Sequence, residues 1–187
     1  KPLFTTTLAA ISLIVLFTGC KNVSYLNAYH QNKDKFTGRA ESDALFLIDV
    51  KDDLILLKDI SNLAKDKAYS KAVFNYSDSA AFDYKDFQTS LNLLAIKKQV
   101  KMPNAVSEKN HKVYNAVFEA KSQKEFDKIY LENTSKTLKE IVNKMETYLS
   151  KGEDDSLKDF IAKNIALFKN QQKKVESLQN TILTFNE

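Results

Sequence analysis

The sequence predicts an all-α fold organised as a four-helix bundle, and three observations carry that prediction. Apolar residues recur at helical spacing in four long stretches from Ser42 onward. Glycine and proline are scarce, three and two in 187 residues, so the chain has few turns and long regular elements. One longer connection, long enough for a short extra helix, separates the second stretch from the third, and the arrangement expected is an up-down four-helix bundle.

Each element follows from its residues. In the first long helix, Phe46, Val50, Leu54, Leu57, Ile60 and Ala64 form one stripe. In the second the stripe is Val73, Tyr76, Ala80, Tyr84, Phe87, Leu91 and Leu94, and Pro103 places the helix end near Lys101. A shorter helix from Ser107 to Ala120 carries Val113, Tyr114, Val117 and Phe118 within the connection. Ser122 and Glu125 make an S-x-x-E capping box. It opens a helix through Phe126, Ile129, Tyr130, Leu138, Ile141, Met145 and Leu149 that should stop at Gly152. Asp154 or Asp155 should cap the last helix, whose stripe runs from Leu157 through Phe160, Ile161, Ile165, Phe168 and Val175 to Leu178. Tyr69, Phe74, Phe82 and Tyr84 crowd the second helix, and most of them are expected in the core.

The N-terminal residues read as an address. Lys1 is the only charge before Lys21, and a short apolar run lies between about Leu8 and Phe17. It is short of the ~20 apolar residues a bilayer span needs. A positive start and a short apolar core describe a secretory signal, with Lys1 falling partway through its basic region. Phe17-Thr18-Gly19-Cys20 resembles a bacterial lipobox: an apolar residue, two small ones, then cysteine. That resemblance implies cleavage before Cys20 and acylation of Cys20 by diacylglycerol and a fatty acid such as palmitate. Several acyl chains on one residue anchor a protein stably, at about 0.8 kcal/mol per buried CH₂. Lys21 at the next position leans towards the outer membrane. The division is therefore a signal peptide at 1–19, a lipidated polar tether at 20–40 and a helical domain at 41–187. Tyr25 and Tyr29 in the tether are placed at the membrane interface.

Composition narrows the chemistry. A net charge of +4 with interleaved lysines and acids describes solvated helix faces, and no nucleic-acid motif accompanies them. A single cysteine makes no internal disulfide, and acylated it is no nucleophile. The scarce glycines leave no phosphate-cradling loop. Glu108 and His111 form one E-x-x-H string; two such motifs with two further carboxylates build a dimetal site, so a lone copy reads first as a solvent-facing pair. The only other histidine, His30, falls in the tether. Asp52-Asp53 and Asp154-Asp155 are adjacent acids, and adjacent helical residues do not share a face. No cofactor is expected.

The stripes also carry a resemblance. From Asp43 to Leu178 the chain resembles a family of bacterial envelope proteins described as domain of unknown function 4142. Asn62-Leu63-Ala64, the steps Val73, Tyr76, Asp83, Leu91, Leu94, Ala95 and Pro103, the string Phe126-Asp127-x-x-Tyr130, and Leu157-Lys158-x-Phe160 carry it. The resemblance implies a ferritin-like bundle and an outer-membrane setting. It also implies an interior set of one Glu and three His that could handle a metal or a proton. Here those positions fall on Leu57, Tyr84, Leu138 and Gln171. Leucine binds no cation, and Tyr and Gln are poor ligands for a divalent ion. Asp83, Phe126, Asp127 and Tyr130 are retained.

The expected function is a lipid-anchored envelope protein acting as a non-enzymatic binding or interaction module. Its partners would be the membrane, through Cys20, and an envelope protein. The other readings are a ferritin-like metal-binding protein or metal-dependent enzyme, and a carrier of a small apolar ligand within the bundle.

Overall fold

The structure is a computed structural model that describes residues 23–184. The signal segment and Cys20 lie outside the described residues. Six helices follow in order: α1 (Tyr25–Lys35), α2 (Gly38–Lys67), α3 (Lys71–Lys97), α4 (Glu108–Phe118), α5 (Gln123–Lys151) and α6 (Asp155–Thr184). The four long ones, α2, α3, α6 and α5, form a ring, each packed on the next, and α1 and α4 pack on α2 from outside.

Cross-bonds fix the directions. Tyr148 near the end of α5 donates to Asp43 near the start of α2, and Ser61 late in α2 meets Tyr130 early in α5. Lys98 after α3 pairs with Asp154 before α6. Every neighbour in the ring is thus antiparallel. In chain order the directions are up, down, down, up rather than the strict up-down alternation expected, because the connection through α4 carries the chain back along the length of the bundle.

Local chemistry sets the boundaries. Ser122 accepts from the Glu125 amide, while the Glu125 carboxylate reaches back to the Lys121 amide, one residue before the expected partner. Asp154, rather than Asp155, caps α6: its Oδ1 accepts from the Leu157 amide at 2.8 Å. Helix α3 ends at Lys97, short of the expected Lys101. Gln99 takes φ +55°, its N–H reaches the Ile96 carbonyl, and the Val100 N–H reaches that of Ala95. That is a Schellman stop, completed before Pro103 can act. Helix α5 stops at Gly152, as expected; a Cβ there would meet the Tyr148 ring at 2.4 Å.

Two expectations need correction. Residues 25–35, read as part of a tether, form α1. Its Ala28 and Asn32 are fully buried, and Asn32 bonds both the carbonyl and the amide of Lys101. Tyr25 is likewise engaged, donating to Asp49 at 2.6 Å, and Tyr29 packs against the core. The polar composition concealed a face only two buried residues wide. Secondly, most of the crowded aromatics are outside the core: Tyr69, Phe74 and Phe82 are exposed and only Tyr84 is buried.

Candidate functional site

The positions of the family's interior set are all taken by buried side chains, one on each long helix. Leu57 from α2, Tyr84 from α3, Leu138 from α5 and Gln171 from α6 are all buried. Helical spacing puts each on the stripe facing the bundle axis. The Tyr84 hydroxyl lies 3.1 Å from that of Tyr76, and Tyr130 lies 3.1 Å from Ser61 Oγ. Burial raises the hydroxyl pKa of all three tyrosines well above the usual phenol range. They stay protonated and serve as hydrogen-bonding caps on a packed core. Gln171 Nε2 donates to Asp83 at 2.6 Å, tying α6 to α3, while Gln171 Oε1 is buried without a partner.

A divalent ion does not fit these residues. Two of the four side chains are hydrocarbon. Tyr84 is neutral and engaged with Tyr76, and Gln171 turns its donor towards the one nearby acid. Among the described residues, no cluster of three His, Cys, Asp or Glu has the proximity to hold a metal ion. Glu108 and His111 are brought to nothing: both are exposed, and Glu108 pairs with Lys112 one turn on.

The retained string Phe126-Asp127-x-x-Tyr130 has a structural task. Phe126 stacks on Tyr130 with ring planes 6° apart and centroids 6.0 Å apart. Asp127 accepts from the amides of Tyr69 and Ser70 at 3.0 and 2.8 Å, at the turn between α2 and α3. Burial pushes the Asp127 carboxyl up, and the two amides act against that. One turn of α5 therefore fixes the α2–α3 corner and, through Tyr130, the last turns of α2 leading into it.

Sequence reasoning missed the polar groups of α2. Every residue from Val50 to Leu57 is buried, because α2 packs against α1, α3, α4 and α5. The adjacent acids Asp52 and Asp53 do not share a face, but here both faces are covered. Asp52 accepts from the amide and hydroxyl of Ser107, and Asn110 Nδ2 bridges Asp52 and Asp53 at 2.9 and 3.1 Å. Lys144 of α5 closes the cluster on Asp53 at 2.6 Å. These bonds seat α4 in the upper part of the α2–α5 groove. Below it the same groove stays open, with a volume of ≈ 700 Å³ over Leu45, Phe46 and Tyr148. The signal that could have exposed this was the polar interruption Lys51-Asp52-Asp53 inside an otherwise apolar run.

Helix α3 has its own unpaired surface. Phe74, Phe82, Leu93 and Ile96 are 43–71% exposed. At about 100° per residue they fall within about 100° of arc, on one face.

The family match bears on all of this. The family described as Domain of unknown function (DUF4142) matches residues 30–178. The chain belongs to this family. The match begins inside α1, so the helix mistaken for tether is partly within the family's domain. Comparisons with curated proteins and with solved structures each returned no match. The described helices include none long and apolar enough to cross a membrane.

Proposed function

We propose that this DUF4142 protein is a lipid-anchored envelope protein, acylated at Cys20, that acts as a non-enzymatic binding module. The observation that carries the reading is the bundle centre. Where the resemblance expects one Glu and three His, the chain has Leu57, Tyr84, Leu138 and Gln171, all buried, with Tyr84 bonded to Tyr76 and Gln171 to Asp83. A polar core replaced by apolar packing can keep or raise stability, so the bundle persists as a scaffold. Binding is then the business of the surface, and the exposed apolar face of α3 has the character of a protein contact. The up, down, down, up order with one crossover supports a ferritin-like arrangement. Lys21 after Cys20 favours the outer membrane over the inner.

Two measurements test this. Cells expressing the protein are labelled with radioactive palmitate; label should enter the wild type and be lost in Cys20→Ala. The purified protein is then assayed for Fe, Mn and Zn after exposure to each. Less than about 0.1 equivalent is expected. A stoichiometric metal would overturn the reading in favour of a metal-binding protein, and unlabelled wild type would overturn the anchor.

A further inference from the structure

The α2–α3 seam holds a buried cation that lacks an anion. Lys51 is 6% exposed, yet its ammonium makes no ion pair among the described residues. Its one hydrogen bond there is to Gln88 Oε1 at 3.3 Å. The adjacent acids Asp52 and Asp53 turn away from it, towards α4 and α5. The other charge felt by Lys51 is a like one, Lys58, two turns along α2. Burial, with Lys58 adding to it, lowers the Lys51 ammonium from 10.5 to about 8. A buried charge without a partner is costly, and native chains keep few of them.

A second, independent observation lies beside it. Gln88 is 8% exposed, and its Nε2 is buried with no partner. An orphan donor next to an unpaired ammonium is what an oxyanion would satisfy. The surroundings suit one. Lys58 and Lys85 line a groove of ≈ 590 Å³ between α2 and α3. Lys85 is one turn from Gln88 along α3, and Lys58 two turns from Lys51 along α2, so the buried pair lies further along the same α2–α3 seam, beyond the residues that line the groove. The acids at the groove are engaged: Asp78 with Lys65, Asp83 with Gln171, and Asp59 with Lys58 itself at 3.2 Å, which leaves Lys85 as the mouth lysine with no ion pair among the described residues.

We propose that Lys51 and Gln88 form the floor of an oxyanion-binding site, with Lys58 and Lys85 at its mouth, that takes a phosphate or phosphoryl group. The ammonium and the amide NH₂ supply the donors. The lysines at the mouth draw the anion in.

The test uses the full chain carrying Cys20→Ala, followed by thermal unfolding and calorimetric titration with inorganic phosphate at constant ionic strength. Phosphate should bind saturably in the millimolar range or tighter and raise Tm, with chloride as the control. Lys51→Met removes the buried charge without loss of volume, so it should fold; its phosphate affinity should fall at least tenfold. Gln88→Leu, which removes the orphan donor, should weaken binding about threefold or more. Sedimentation with phosphatidylglycerol vesicles then separates the sources. If vesicles bind the wild type and not Lys51→Met, the phosphoryl group is a lipid headgroup. If free phosphate binds and vesicles do not, it is a soluble anion. The proposal is overturned if neither binds saturably, or if Lys51→Met binds as well as the wild type.

Discussion

Removing the Asp127 carboxylate should loosen the corner between α2 and α3 more than any other single polar change at that end of the bundle. Asp127 is 2% exposed and accepts two backbone amides, of Tyr69 and Ser70, just where α3 begins. The Ser70 amide, at the N-cap of α3, is among the donors a helix start leaves unpaired, the Tyr69 amide precedes it in the turn, and a negative charge there also meets the positive end of the α3 dipole. A hydrogen bond to a charged group contributes about 1.5–3 kcal/mol. The two bonds share one carboxylate, so Asp127→Ala should cost about 3 kcal/mol rather than the full sum. Asp127→Asn keeps one acceptor and should cost about half of that. For a chain of this size each kcal/mol lowers Tm by about 2–4 °C. The measurement is urea unfolding followed by far-ultraviolet circular dichroism, with Cys20→Ala as the common background. The midpoint should fall with an unchanged slope. A loss below about 1 kcal/mol for the alanine variant would refute the reasoning, because the corner would then be held by the Phe126–Tyr130 stack alone.

Three other outcomes follow from the same geometry. Lys51→Met should raise stability at pH 7 by about 2–3 kcal/mol in phosphate-free buffer, because each tenfold weaker hold on the Lys51 proton corresponds to about 1.4 kcal/mol and the shift from 10.5 to about 8 gives about 3.4 kcal/mol as the ceiling. The wild type should itself gain stability as pH rises from about 8 to 10.5. In that window the unfolded chain holds the Lys51 proton and the folded one does not; a flat profile there, or an equal rise in Lys51→Met, would refute the burial argument. Burial would raise the Asp154 carboxyl, but Lys98, Ser156 and the Leu157 amide outweigh it and hold it at about 2, below its usual 3.8. Its contribution is complete above pH 3.8 and lost as pH falls towards 2. Lys98 and Asp154 are only partly buried, and solvent screening limits the effect to about 1 kcal/mol. Urea midpoints measured through this range should show a shallower acid limb in Asp154→Asn. Gln99→Gly should stabilise by about 0.5–1 kcal/mol, because glycine adopts the φ of +55° freely and the Lys35 bond to the residue 99 carbonyl survives. A lower midpoint would mean that the Lys35 contact with the Gln99 side chain outweighs the backbone strain.

Helices α3 to α6 were legible because each carries an apolar stripe flanked by its own cap or stop, and α2, which has no capping side chain, was legible by its apolar run alone. Ser107 and Ser122 accept amides of their first turns, and Gly152 ends α5 beside Tyr148. Helix α1 was not legible. Its sequence, YLNAYHQNKDK, is polar nearly throughout, and its place depends on Asn32 meeting Lys101, 69 residues away. A contact at that separation leaves no trace in local periodicity. The end of α3 was misplaced for a related reason: Gln99 gives no hint that it will adopt a left-handed conformation.

The sequence alone determined the fold class, the order of the long helices and the absence of three histidines and one glutamate from the positions where the family resemblance expects them. The first two are composition and spacing; the third is read against the family resemblance. Only the tertiary structure decided what α2 does. Packed by four other helices, α2 has no outer face from Val50 to Leu57, so Lys51, Asp52 and Asp53, which any pattern would assign to solvent, are buried. The two acids found partners on α4 and α5 and became the seat of the crossover helix. Lys51 faced α3, where no acid meets it, and its charge was left facing an orphan amide. Burial on all sides comes from the packing of other elements, and no residue of α2 encodes it by itself.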